Sequence, residues 1–377
     1  MKKIVINATL LDEKITGIGQ YQLNVIRALS KIEGLYLKVI VTKAFIQSEV
    51  GLRFLNDILE EKEAEIEFVS VPSLKIIYRL KSLLGFYLQK DFIYHDLAFN
   101  SALGKNTLAK IVTFHDAFFL DKNLWQSSRG FPAFNAKYIL PWSAKNADHI
   151  VVQTNVVKKQ LIEALQLNPN KISVIPMGNP FIDFLRENKI SREITGNDIS
   201  INGKVIKKPY ILTVGAGHPR KRTKDLIKAS SRVDIPHTLV ITGKNAIDEP
   251  GVREALNDNK NVIILDYVKR EDLVKLYYNA SALFFPSADE GFGFPIIEAL
   301  TLKLPVVASD IEVFKEVGGN FIEYFPTGDI DKIAHYIELA LKNKIFIRDQ
   351  KAIENWLSRF TWENYANELL KIYSMYA

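Results

Sequence analysis

The chain has 377 residues, 47% of them hydrophobic and 24% charged, which is length enough for two buried cores and a balance that excludes disordered or fibrous classes. It has no cysteine, so disulfides, thiolate metal sites and cysteine nucleophiles are excluded. Its formal charge of +6 is a diffuse basic excess that suits nucleotide, phosphate or anionic-surface partners, and without a basic-aromatic recognition pattern it gives no argument for nucleic acid.

Met1-Lys2-Lys3 runs straight into an apolar strand pattern at 3–10, with no signal-peptide region, and no apolar run reaches the length of a membrane span; the expectation is a cytoplasmic protein. A Gly17-Ile18-Gly19 turn then leads into a helical pattern at 21–30. The turn has the start of a dinucleotide fingerprint, but Gln22 stands where the third glycine belongs. The second strand pattern, 36–42, also ends without an acid to hold a ribose, so NAD binding is rejected. The turn can still offer helix N-terminal N–H groups to an anion. Further strand patterns at 66–71, 92–95, 110–114 and 149–153 alternate with helical segments and predict a parallel sheet covered on both faces. Two His-Asp pairs, His95-Asp96 and His115-Asp116, fall at strand carboxyl ends. The 74–90 segment mixes Leu74, Ile76, Ile77 and Leu80 with Lys75, Arg79 and Lys81; it reads as an amphipathic helix packed on the first core, or as an interfacial membrane helix.

A polar stretch at 186–208 marks the expected boundary. After it the strand patterns resume at 210–214, 237–242, 262–265, 282–286 and 305–308. Two open α/β domains place a ligand in the cleft between them, at the carboxyl ends of the strands. Gly215-Ala216-Gly217-His218-Pro219-Arg220-Lys221 follows the first of these strands, and Arg220 and Lys221 are its phosphate ligands, one forked and one a point charge. Arg222 and Lys224 are expected to be solvated. The most informative stretch is Glu290-Gly291-Phe292-Gly293-Phe294-Pro295-Ile296-Ile297-Glu298, a glycine turn between a buried strand and a helix N-terminus. Glu290 would face a ligand from the loop, Glu298 from the first helical turn, and the N–H groups of Phe292 and Gly293 would bind hydroxyls or phosphate. Two acceptor carboxylates beside a phosphate site point to a ligand with hydroxyls as well as phosphate, and a nucleotide sugar has both. Asp329-Ile330-Asp331 is read as a helix N-cap rather than a metal pair, and no metal or other cofactor is expected. The last helical pattern, 361–376, is amphipathic.

These motifs, in this order, resemble glycosyltransferase family 4, the retaining enzymes of the GT-B fold. The resemblance implies an α/β fold of two Rossmann-like domains whose parallel sheets face an interdomain cleft. An acceptor domain would cover 1–185, a linker or polar insertion 186–208 and a donor domain 209–360, with a helix at 361–377 packing back on the first domain. It further implies Glu290, His115, Arg220 and Lys221 as catalytic residues, His115 through contact with the donor sugar. Donor binding would fall to Gly17, Gly19, Gly215, Arg220, Lys221, Tyr267, Val268, Glu290, Gly291, Phe292, Gly293 and Glu298, with Tyr267 and Val268 edging the base pocket through their backbone and Glu298 holding the ribose. Ala216 stands where some relatives carry a further arginine. The implied reaction is hexose transfer, mannose first and glucose second, from a GDP- or UDP-linked sugar to a glycan or lipid-linked acceptor, with peripheral contact at the inner membrane face kept open. The competing readings are a nucleotide-sugar epimerase of similar architecture and a non-catalytic nucleotide- or glycan-binding module.

Overall fold

The protein is seen in a computed structural model that describes residues 1–13, 15, 17–72, 83–121, 131–187, 198–345 and 349–377. It forms two compact units, Met1–Pro180 with Arg359–Ala377, and Phe181–Ser358. The 186–208 stretch does not stand apart from them: its described part belongs to the second unit.

The first unit is built on seven parallel strands, β1 (Lys2–Asn7), β2 (Leu35–Thr42), β3 (Glu65–Val71), β4 (Ile93–Asp96), β5 (Ala109–Phe114), β6 (His149–Val152) and β7 (Ile172–Val174), in the order β3-β2-β1-β4-β5-β6-β7. Every residue of β4, β5 and β6 is buried, as in a parallel sheet covered on both faces, so these segments show no apolar-polar alternation. The short β7 falls in a segment too brief to announce a strand. Of the 74–90 helix expectation, 74–82 lie outside the described residues; 83–90 form a turn at Gly85 (φ +77°) that exposes Leu84 and Phe86. Among the described residues no helix is long and apolar enough to cross a membrane.

A polar chain runs through this core. The C-terminal helix Trp362–Ser374, capped by the Thr361 hydroxyl, packs on the Gly17–Ser30 helix. Its Tyr365 hydroxyl lies 2.7 Å from that of Tyr21, which lies 3.0 Å from Thr113 Oγ1 on β5. Thr113 in turn meets His95 Nε2 at 3.0 Å, and His95 Nδ1 meets Tyr373 at 2.7 Å. Tyr365 and Tyr373 are eight residues apart, on one face of the helix, so both ends of the chain return to the same element. Buried polar groups are tolerable because each finds a partner.

The first strands of the second unit form an antiparallel hairpin, β8 (Ile199–Ile201) and β9 (Lys204–Ile206), joined by Asn202 and Gly203 at φ +51° and +73°. Two positive φ values are what a two-residue hairpin turn requires, and Asn-Gly supplies them. Six parallel strands follow: β10 (Tyr210–Val214), β11 (Thr238–Thr242), β12 (Val262–Leu265), β13 (Ala282–Phe285), β14 (Val306–Ser309) and β15 (Glu323–Phe325), in the order β12-β11-β10-β13-β14-β15. This repeats the doubly wound order of the first unit, so each sheet has a switch point, at β1/β4 and at β10/β13. Ile211, Ile241, Phe284 and Val307 from the strands pack with Leu226, Ile227, Ile333 and Ile337 from the helices.

Replacing Tyr21 with Phe keeps the ring and removes the central hydroxyl of the chain. We expect a loss of about 1–3 kcal/mol in stability, read from the urea midpoint of the first unit. A change too small to measure would mean the chain contributes little.

Candidate functional site

At the β10/β13 switch point two loops leave the carboxyl edge of the second sheet side by side. The first runs from Gly215 to Arg222. Gly215 and Ala216 donate their N–H groups to Thr242 O (2.8 and 3.0 Å), and Gly217, at φ +113°, leaves no room for a Cβ, which would sit 2.1 Å from Lys244 O. The buried Glu249 fixes the far side, accepting from Thr223 N–H (2.8 Å), Thr223 Oγ1 (2.6 Å) and Gly217 N–H (3.4 Å). A tight turn over Pro219–Lys221, with the His218 ring accepting from Arg220 N–H, then sends Arg220 and Lys221 toward the second loop.

That loop carries Glu290, and the carboxylate bridges both cations. Lys221 Nζ lies 2.5 Å from Oε1 and Arg220 Nη1 2.9 Å from Oε2, while the buried Ser287 hydroxyl donates to Oε1 at 2.8 Å. Ala288 N–H ties the two loops together through Arg220 O (2.7 Å). Glu290 is 8% exposed, and Lys221 lies over the Phe285 ring, 5.0 Å from its centroid. Burial pushes the Glu290 carboxyl up, but Lys221 and Arg220 outweigh it and hold the group below the usual range. Burial likewise depresses Lys221, against the pull of Glu290. Two cations against one carboxylate leave the cluster one positive charge in excess, which favours an anion. Arg220, Lys221 and Glu290 thus form one cluster beside Gly215, whose left-handed backbone (φ +82°) favours glycine at the turn. Arg222, expected in solvent, instead pairs with the buried Asp225 at 2.6 Å because its left-handed backbone (φ +52°) turns it back; Lys224 is exposed.

Beyond Gly291, the buried Phe292 and Gly293 lead into the helix Phe294–Thr301, with Gly293 as N-cap at φ +105° and a proline at its start. Glu298 is the fifth residue of that helix, so the expected first-turn position is corrected: Gly293 is the cap and the helix begins at Phe294. It is 8% exposed and accepts a 2.7 Å bond from the Tyr277 hydroxyl. Burial raises its pKa to about 7, although Tyr277 and Arg270 both favour the ionised form. Tyr267 is exposed, and its carbonyl accepts from Asn202 Nδ2 (3.0 Å) at the hairpin tip; Val268 follows at the surface edge of this loop. Asp329 caps the helix Ile330–Leu341 by accepting from Lys332 N–H, and Asp331 pairs with Arg232.

In the first unit, Gly17 and Gly19 begin the Gly17–Ser30 helix, and a Cβ on Gly17 would meet only open space. His115 follows β5 and is buried, edge-on to Tyr21 at 4.6 Å and to Phe99 at 5.4 Å. Its Nε2 lies 2.8 Å from Leu97 O, which can only accept, so the proton is on Nε2 and Nδ1 is the acceptor. Burial lowers the ring's pKa to about 4, so it is neutral at physiological pH. His95, expected to line a cleft, is instead fully buried in the polar chain; its pair partner Asp96 accepts the N–H groups of Ala98 and Asn100. Ser287, Glu249 and Tyr277 were not among the expected site residues. A serine two residues after a buried strand and an acid before Pro250-Gly251 are faint signals; the Tyr277 hydroxyl has none.

Residues 16–179 match the family described as Glycosyltransferase Family 4, and residues 196–357 the family described as Glycosyl transferases group 1. The chain is similar to the O-antigen chain mannosyltransferase RfbU of Salmonella typhimurium, 28% identical over 60% of each chain, and thus spans less than two thirds of that relative. It is also 22% identical to O-antigen chain mannosyltransferase B of Escherichia coli, over 99% of this chain and 100% of the other. Among solved structures it resembles Anabaena HepE in complex with UDP and glucose, with a TM-score of 0.65 at 13% identity and full coverage of both chains.

Two substitutions test the site's electrostatics. Glu290→Gln leaves Arg220 and Lys221 facing an amide, and the expected loss is about 3–5 kcal/mol of stability in the second unit. Because the folded Glu290 pKa lies below its unfolded value, its stabilisation is present above the unfolded carboxyl pKa of about 4.3 and fades as pH falls through the folded pKa. Glu298 has the opposite sign: raised to about 7, it favours the fold below the unfolded pKa and loses that contribution as pH rises through its own. Glu298→Gln should therefore be more stable than the parent at mildly alkaline pH, by on the order of 2–4 kcal/mol, and equal to it in acid. Urea titrations at the two pH values check both signs.

Proposed function

The chain belongs to the group 1, family 4 glycosyltransferases and has their GT-B fold, and from that premise we propose that it moves a hexose from a nucleotide-diphosphate sugar to a hydroxyl of a glycan or lipid-linked acceptor with retained anomeric configuration. The observation that carries this reading is the convergence of Arg220, Lys221 and Glu290 at the β10/β13 switch point. Mannose is the first choice of sugar, supported by two relatives named as mannosyltransferases, with glucose second. GDP and UDP both remain candidates for the donor nucleotide.

In this mechanism the bond between the anomeric carbon and the diphosphate oxygen breaks first, its electron pair leaving with the phosphate. Arg220 and Lys221 offset the charge that develops there, and the N–H groups at Phe292 and Gly293 add to it. The acceptor oxygen forms the new bond on the same face and gives its proton to the departing phosphate oxygen. Glu290 would contact the transferred sugar, and Gly215 and Gly291 would let the ligand approach the main chain. Glu298 would accept from the ribose, and the backbone at Tyr267 and Val268 would edge the base. In the first domain, neutral His115 would accept a sugar hydroxyl at Nδ1, and the helix start at Gly17 and Gly19 would offer N–H groups to the diphosphate or the acceptor. Arg220 and Lys221 supply the charge that a metal gives in other transferases, so no metal is invoked. A lipid-linked acceptor would bring a cytoplasmic enzyme to the inner membrane face, and exposed Leu84 and Phe86 support a peripheral contact there.

A thermal-shift panel of GDP, UDP, ADP and dTDP with their sugar conjugates is the direct test. A nucleotide at about a hundredfold over its Kd should stabilise the protein by roughly 2.7 kcal/mol. One base should stand out, the shift should vanish in Lys221→Ala, and the matching sugar conjugate should yield free nucleoside diphosphate and a glycosylated acceptor. No shift with any nucleotide would overturn the donor-site assignment.

A further inference from the structure

Tyr277 lies outside every motif that carries the family likeness. It sits near the end of the helix Arg270–Asn279, fully buried, with its ring edge-on to Phe181 at 5.6 Å. Its hydroxyl donates to Glu298 Oε2 at 2.7 Å. Glu298 Oε1 has no protein partner among the described residues and is not sealed from solvent. One oxygen is therefore held by a rigid two-torsion side chain, and the other is left as an acceptor. A buried carboxyl without such a tether would be free to rotate about its last bonds and to take up a proton.

We propose that Tyr277 is a positioning residue that holds the Glu298 carboxyl with Oε1 presented to the nucleotide's ribose hydroxyls; this rests on the donor-site reading of Glu298. The tether has a directional logic. An ionised carboxylate can only accept, so a phenol that donates to it favours the ionised form, which is also the form that accepts two ribose hydroxyls. Arg270, on the same helix as Tyr277, favours that form as well. The strands beneath the Glu298 helix, β13 and β14, carry no titratable side chain. Glu312, Lys315 and Glu316, and Lys351 and Glu354, come from the two other helices packed on it, Glu312–Gly318 and Gln350–Leu357. Asp183 and Arg186 of the helix Pro180–Glu187 pair with each other at 3.5 Å. Among these groups, Tyr277 and Arg270 are the ones that pull Glu298 toward its ionised form.

The test is Tyr277→Phe, which keeps the buried ring, assayed with the nucleoside diphosphate that stabilises the parent protein. We expect Kd, and KM for its sugar conjugate, to rise about tenfold at neutral pH with kcat little changed, since a hydrogen bond to a charged group is lost. The acid limb of binding should also move up by about one pH unit, which loss of packing alone would not cause. Glu298→Gln should abolish that limb, and adding Tyr277→Phe to it should weaken binding no further. Unchanged affinity and an unchanged limb in Tyr277→Phe overturn the inference, as does an acid limb that persists in Glu298→Gln. Lys221→Ala separates the two failures: if it alone destroys binding, the donor site stands and Tyr277 is structural, whereas if it too binds normally, the donor-site reading falls with the inference.

Discussion

Glu290 holds two cations that come from a loop 69 residues earlier in the chain, and the second unit depends on that bridge. A buried carboxylate and two half-buried cations would be costly apart, since an unpaired buried ion costs several kcal/mol. Each partner therefore dictates where the others stand. Gly217 must let the first loop pass against Lys244, Glu249 must hold the loop from behind, and Ser287 must supply one more donor to the carboxylate. All of this is possible only because β10 and β13 are neighbours whose crossovers diverge, which opens their carboxyl ends to each other. The excess positive charge that remains lets the same cluster serve as a structural fastener and makes it the candidate anion site.

The two glutamates illustrate how environment divides chemically identical groups. Both are 8% exposed. Glu290 has two cations within ion-pair distance and stays ionised; Glu298 has a phenol and a more remote guanidinium, and burial wins, raising it to about 7. Neither outcome follows from the eight-residue spacing between them. The first unit handles polarity differently, with neutral groups: a buried run of tyrosine, threonine and histidine side chains fastens the last helix of the chain to β4, β5 and the Gly17–Ser30 helix. His115 packs on one member of that run, Tyr21, so the C-terminal helix and a candidate site residue share a support.

Much of the molecule was legible beforehand, because parallel strands buried on both faces leave continuous apolar runs that need no partner to be recognised. The central strands of both sheets fell within a residue or two of expectation, apart from β1, which ends at Asn7, three residues short of the pattern. The misses were β7, the β8–β9 hairpin and β15, each three residues long. The hairpin's Asn202-Gly203 signal was present but sat in a stretch read as polar linker. For the site, Gly215, Arg220, Lys221 and Glu290 announced themselves through residue type and position after strands.

Local chemistry thus determined, by itself, the alternation of elements, the glycine turns, the helix starts and the candidate residues for meeting an anion, since each depends on neighbours a few positions away. The tertiary structure alone decided that Glu290 bridges both cations, that Arg222 turns back to Asp225, that His95 is sealed in a core and that Tyr277 reaches Glu298. Those pairings join side chains from different loops, strands and helices, or rest on a left-handed backbone turn, and burial sets their protonation. A one-dimensional pattern carries neither the pairing of distant segments nor the exclusion of water that gives the pairing its strength.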